Sequence, residues 1–183
     1  VRHLLMHTSG LTYDFLPDFP SGADYRAARI MNDPKRSLAD LTDALATIPL
    51  AFQPGSRWHY SVGIDVAARL IEVLSGQSLG EFLQTRLFTP LGMTDTAFGV
   101  PSSKLSRLAA MYGHPDLMRH DLTLLDIFSP PHLGTNERRD VSATYPTDSP
   151  ETFQRGGVGL FTTLGDYTRF AQMLCNGGEL DGQ

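Results

Sequence analysis

Trp58-His59-Tyr60-Ser61-Val62-Gly63-Ile64-Asp65-Val66-Ala67-Ala68-Arg69-Leu70-Ile71-Glu72-Val73-Leu74-Ser75-Gly76 is the stretch whose reading sets the fold. Val62, Val66, Leu70 and Leu74 recur every four residues, and Ala67 and Ile71 widen the stripe, so the spacing predicts an amphipathic helix over Ser61 to Ser75. Ser61 is placed to cap it, Asp65 stands at i,i+4 spacing from Arg69 for an ion pair, and Gly76 offers a left-handed stop. Tyr60 sits just ahead of the helix, at the positive end of its dipole, where a phenolate is favoured. Free tyrosine titrates near ~10, so acid/base work at neutral pH also needs neighbouring positive charge. The plainer reading is an aromatic turn with partly buried rings.

Moving outward, Gly76-Gln77-Ser78-Leu79-Gly80 matches the G-x-S-x-G nucleophile elbow. That elbow requires a strand before the serine, and here a helix precedes it. Ser78 with Glu81 forms instead an S-x-x-E capping box, so Ser78 opens the next helix, which Pro90-Leu91-Gly92 ends. Asp121 or Asp126 with His132 would complete a triad order on paper, but no βαβ alternation supports it. Upstream, Pro54-Gly55 marks a turn, and Ser37-Leu38-Ala39-Asp40 caps a helix carrying Leu38, Leu41, Leu45 and Ile48. Leu11 to Arg36 reads as a long, turn-rich loop holding Tyr13, Phe15, Phe19 and Tyr25. Loops of that length are uncommon unless functional. Downstream, Val158 to Phe161 reads as a short strand or extended entry, and Thr163 caps a last helix with Tyr167, Phe170, Leu174 and Cys175 facing inward. Gly113 to Arg155 shows only weak periodicity. No internal repeat or low-complexity segment occurs.

The 183 residues carry 15 basic and 20 acidic side chains, a net charge of −5. With Lys35 and Lys104 as the only lysines, and no clustered basic face, this is a poor binder of nucleic acid or anionic membranes. No apolar run approaches the ~18 residues of a transmembrane span. The single cysteine, Cys175, excludes an internal disulfide framework and suits either redox compartment. On its helix's apolar side it reads as a core thiol. His3 and His7 share i,i+4 spacing, but Leu4 occupies the position where a zincin has Glu, so no metal site is expected. His114, His120 and His132 read as surface residues, as do Arg138-Arg139 and the other scattered arginines.

Four segments, in order, resemble the serine β-lactamase and penicillin-binding-protein superfamily, above all its class C-like (family VIII) esterase branch. They are His3-Leu4-Leu5-Met6-His7-Thr8-Ser9-Gly10-Leu11; Pro54-Gly55 through Tyr60-Ser61 to Asp65; Ser75-Gly76-Gln77-Ser78 with Pro90-Leu91-Gly92-Met93 and Asp95-Thr96-Ala97-Phe98; and Gly156-Gly157-Val158-Gly159-Leu160 running through Asp166 and Phe170 to Gly177-Gly178. The resemblance implies an α+β, multidomain fold, of which this chain supplies mainly the helical region and part of the return to the sheet. Residues 1–183 are then expected to be an internal part of a single serine hydrolase domain, lacking both the nucleophile segment and the C-terminal strands.

In that family a Ser-x-x-Lys supplies the nucleophile, and Lys35 and Lys104 are preceded at that spacing by Asn32 and Pro101. By resemblance, Tyr60 is the tyrosine that takes the serine proton with help from the lysine and returns it to the leaving group. Tyr13 and Asp14 match positions that border the cleft, with loop packing as the alternative. Val62 stands where penicillin-recognising members have Asn and cannot hydrogen-bond a substrate amide, leaving a more apolar wall. The expected activity is therefore a carboxylesterase for short acyl or aryl esters, needing no cofactor. β-Lactamase, D-amino-acid peptidase, acyltransferase and a non-catalytic ligand-binding relative remain alternatives. The fragment alone is expected to be inactive.

Overall fold

The computed structural model describes residues 1–16, 21–30, 33, 35–112, 138–139 and 154–182. The described residues contain six α-helices: α1 (Arg2–Leu5), α2 (Ser21–Ala27), α3 (Leu38–Ala46), α4 (Gly63–Ser75), α5 (Leu79–Leu83) and α6 (Leu164–Cys175). A π-helical turn, Gln84–Phe88, prolongs α5, and a 3-10 turn covers Ser102–Arg107. Strand content is slight: β1 (Met111–Tyr112) pairs antiparallel with β2 (Arg138–Arg139), and Ala97 bridges Phe161. A mainly helical region of an α+β fold is what the pattern of residues predicts.

α4 is the central element, packing on α1, α3 and α5. Its apolar stripe divides between two clusters. Val62 and Val66 join Tyr13, Tyr25, Ile30 and Leu41, while Ala68 and Ile71 join Leu38, Leu79 and Phe98. A third cluster, Phe88, Leu91 and Met93, takes Phe170 and Met173 of α6. Burying a side chain such as Val62 or Leu41 is worth about 1.5–3 kcal/mol.

Local chemistry explains most boundaries. Ser37 with Asp40 and Ser78 with Glu81 form complete capping boxes. Thr163 accepts the Asp166 N–H at 3.2 Å. Gly76 ends α4 at φ +71°. Asp166 ties α6 to the body by accepting the Asp95 N–H at 2.7 Å and the Thr96 hydroxyl at 2.8 Å.

Four expectations change. α4 starts at Gly63 with Val62 as its N-cap, and Ser61, one residue earlier, accepts the Gly63 N–H at 3.3 Å. The supposed loop between Leu11 and Arg36 contains α2, whose Tyr25 is buried with Ile30 in the first cluster. Arg155 is buried rather than solvated, donating to the carbonyl oxygens of Gln154 and Arg36 at 2.9 and 2.8 Å. On α6, Phe170 packs inward, but Tyr167, Leu174 and Cys175 are exposed. Asp121, Asp126, His114, His120 and His132 lie outside the described residues. Among the described residues no helix is long and apolar enough to cross a membrane.

Candidate active site around Tyr60

Two backbone segments run together to build the site. The amides of Ala51, Gly55 and His59 donate to the carbonyl oxygens of Gly10, Thr8 and His7, each at 2.8 Å. Gly10 must be glycine for this: its φ is +86°, and a Cβ there would lie 2.3 Å from the Phe52 carbonyl oxygen. The pairing turns His59 inward, where Nε2 shares a 2.8 Å hydrogen bond with the Thr12 hydroxyl. Its neighbour Tyr60 points the other way.

Tyr60 is 46% exposed and lies just before α4. Its ring is gripped on two sides, with the His7 and Tyr13 ring centroids each 5.0 Å away. His7 reaches this position because it leaves α1 with φ +52°, which ends any common helix face with His3. Its Nδ1 shares a 3.3 Å hydrogen bond with the buried Ser61 hydroxyl, whereas His3 pairs with Thr8 at 2.8 Å. The two histidines therefore anchor the turn instead of converging on one ligand.

Tyr13 is 5% exposed and stacks on Phe15 at 4.8 Å. Burial pushes its hydroxyl well above the ordinary tyrosine range, reinforced by the charge of Asp65, by the Tyr60 hydroxyl and by Asp14. It stays a protonated donor. Asp14 is buried beside it, and the Arg26 guanidinium donates to the Asp14 backbone carbonyl. Val62 is fully buried in the same cluster as Tyr13. Tyr13 and Tyr60 are thus brought into contact, while Asp14 and Val62 are buried.

Sequence reasoning missed Asp65 as part of this assembly. It is fully buried, and its Oδ1 accepts the N–H groups of Gly156 and Gly157 at 3.0 and 3.3 Å. Arg69 turns instead to Glu72 at 3.1 Å. A Cβ on Gly156 would sit 2.3 Å from the Ile64 carbonyl oxygen, so the paired glycines let this loop lie directly on α4. The signal was available as an acidic residue inside an apolar stripe and a Gly-Gly pair far downstream. Burial raises the Asp65 carboxyl above its usual range, opposed by those two amides and by the charge of Arg155. A wide groove elsewhere, lined by Thr94, Lys104, Leu108, Leu160 and Phe161 among others, contains none of these residues.

The sequence that builds this turn and the helix after it matches a known family. The family model described as Beta-lactamase covers residues 1–183. The chain belongs to the beta-lactamase family. Esterase EstB of Burkholderia gladioli is 32% identical over 179 residues, which cover 95% of this chain and 44% of EstB. Among solved structures, EstCE1, described as a hydrolase with promiscuous acyltransferase activity, superposes with a TM-score of 0.72 at 23% identity, over 99% of this chain and 46% of its own. The D-amino acid amidase of Ochrobactrum anthropi SV3 gives 0.64 at 23% identity, over 98% and 44%. At that identity the two structures establish the fold. This beta-lactamase family chain spans about two fifths of the length of the curated relatives it matches.

Proposed function

We propose that these residues are an internal part of a serine hydrolase that works through an acyl-enzyme, with Tyr60 as acid/base and the Ser-x-x-Lys nucleophile outside residues 1–183. The observation that carries the reading is a half-exposed phenol, clamped between His7 and Tyr13 ahead of α4, above a buried apolar floor. In the first half-reaction Tyr60 takes the serine proton as the serine oxygen attacks the carbonyl. It then protonates the departing alkoxide. In the second, water attacks the acyl-enzyme by the same proton path in reverse. The positive end of α4 and a lysine ammonium favour the phenolate that begins the cycle.

The substrate reading is a short acyl or aryl ester. Val62 supplies no hydrogen-bonding side chain where a substrate amide would need one, and Tyr13, Asp14 and Val62 shape the wall behind Tyr60. Similarity to EstB, named as an esterase, supports it. Acyl transfer to another acceptor and amide cleavage are the alternative reactions, and the fold is shared with EstCE1, described as having promiscuous acyltransferase activity, and with a D-amino acid amidase. The isolated fragment, without the serine, is expected to be inactive.

The test uses the full-length protein with p-nitrophenyl butyrate and nitrocefin, followed by mass spectrometry of a fluorophosphonate adduct. Ester turnover at least about tenfold more efficient than nitrocefin turnover, with the adduct on a Ser-x-x-Lys serine, supports the reading. Equal turnover of the two overturns the substrate assignment, and an adduct at Ser78 overturns the mechanism.

A further inference from the structure

Tyr13 is placed where a substrate-bordering residue is expected, yet it is almost fully buried and its ring meets Tyr60. Behind it lies a carboxylate oxygen with no hydrogen-bond partner, Oδ2 of the fully buried Asp65. Both groups border Gly157: a Cβ built there would lie 3.6 Å from Asp65 Oδ2 and 3.6 Å from the Tyr13 hydroxyl oxygen. A side chain at 157 would fill this space, and glycine keeps it open. We propose that Tyr13 is a positioning residue for Tyr60, its hydroxyl donating a hydrogen bond to the Tyr60 oxygen from a ring fixed between Phe15 and the Asp65–Gly157 contact.

The direction of that hydrogen bond follows from the surroundings. Tyr13 faces Asp65 from α4, Asp14 from its own segment and Tyr60 from the turn before α4, and all three disfavour a tyrosinate at position 13. Its proton therefore stays, and the oxygen that gains from it is the one becoming negative, on Tyr60. His7 is the titratable group on the other face of Tyr60, 5.0 Å away between ring centroids, and Arg155 is the cation that acts on Asp65. The arrangement lets the Tyr13 hydroxyl favour the phenolate at the start of each half-reaction without itself exchanging a proton with substrate.

This inference rests on the proposed role of Tyr60, and its test separates the two. In the full-length protein, Tyr13→Phe keeps the ring and removes only the hydroxyl. The expected result is a fall in kcat for p-nitrophenyl butyrate of about tenfold or more with KM nearly unchanged. The acidic limb of the pH–rate profile moves to higher pH, and adding Tyr13→Phe to Tyr60→Phe costs nothing further. Labelling the tyrosines with 13C at Cζ gives a readout that needs no turnover. The Tyr60 signal, assigned by its loss in Tyr60→Phe, titrates at higher pH once the Tyr13 hydroxyl is gone. An unchanged Tyr60 titration in folded Tyr13→Phe protein, or a loss confined to KM, overturns the inference. A shifted titration in a protein without ester turnover supports the hydrogen bond and overturns the esterase reading alone.

Discussion

Asp65 shows how much of this site rests on one side chain that sequence spacing assigned to the surface. At i,i+4 from Arg69 it fits an exposed ion pair worth a few tenths of a kcal/mol. Its actual position, under the Gly156-Gly157 loop, makes it a buried acceptor for two amides and a partner in charge for the buried Arg155. Asp65→Ala leaves the Gly156 and Gly157 amides without their acceptor and removes the charge that faces Arg155, so we expect about 2–4 kcal/mol of destabilisation in urea unfolding of the full-length protein. Asp65→Asn tests the charge separately. Because burial raises the folded-state carboxyl, the folded protein keeps this proton to higher pH than the unfolded chain. Its contribution is complete below the unfolded value of ~3.9 and declines as pH rises through the folded one. Asp65→Asn is expected to flatten that decline, and an unchanged pH dependence of stability would contradict this account. Such a residue is hard to read from one sequence, since its partners lie some ninety positions downstream.

Helices α3, α4, α5 and α6 were legible, because each carries a start or stop signal of its own. Ser37, Ser78 and Thr163 all hold the cap hydrogen bonds that their spacing implies, and Gly76 takes the left-handed stop. Ser78 is the sharpest case, since G-x-S-x-G also reads as a nucleophile. Its hydroxyl is committed to Glu81, donating to the carboxylate at 2.8 Å while accepting the Glu81 N–H at 3.2 Å. Ser78→Ala should therefore cost about 1 kcal/mol of stability and leave ester turnover of the full-length protein intact. Loss of turnover without unfolding would return Ser78 to the candidate nucleophiles. Glycines at the two ends of α4 make a further contrast. Gly76→Ala meets no neighbour within 4 Å and pays mainly for its positive φ, about 1–2 kcal/mol. Gly63→Ala drives a Cβ to 2.8 Å from the Leu4 carbonyl oxygen and should cost more by thermal unfolding, because backbone must move. α2 was not legible because its burial comes from neighbours: Tyr25 is fixed by the first cluster and receives the Thr12 N–H at 3.4 Å.

For the molecule as a whole, the same apolar periodicity that identifies the helices overstates how much of each is covered here. Leu74 on α4 is 78% exposed and Leu164 on α6 is 84% exposed, with Leu174 and Tyr167 also open. An amphipathic stripe reports that a face is apolar, and only the full set of neighbours decides whether it is covered. Residues 1–183 expressed alone are therefore expected to unfold over a broad range in calorimetry and to bind a hydrophobic dye. A sharp cooperative transition would show that these faces need no further cover. The family assignment was readable because its motifs are local and ordered along the chain, whereas the Tyr13–Tyr60–Asp65 assembly joins three segments and becomes visible only in three dimensions. The central claim is that Tyr60 moves the proton, and Tyr60→Phe in the full-length protein tests it most directly. The account predicts that kcat for p-nitrophenyl butyrate falls by about 10²–10⁴-fold with the fold intact by circular dichroism. Turnover within about threefold of the parent, where no proton-transfer role is left to lose, would contradict it.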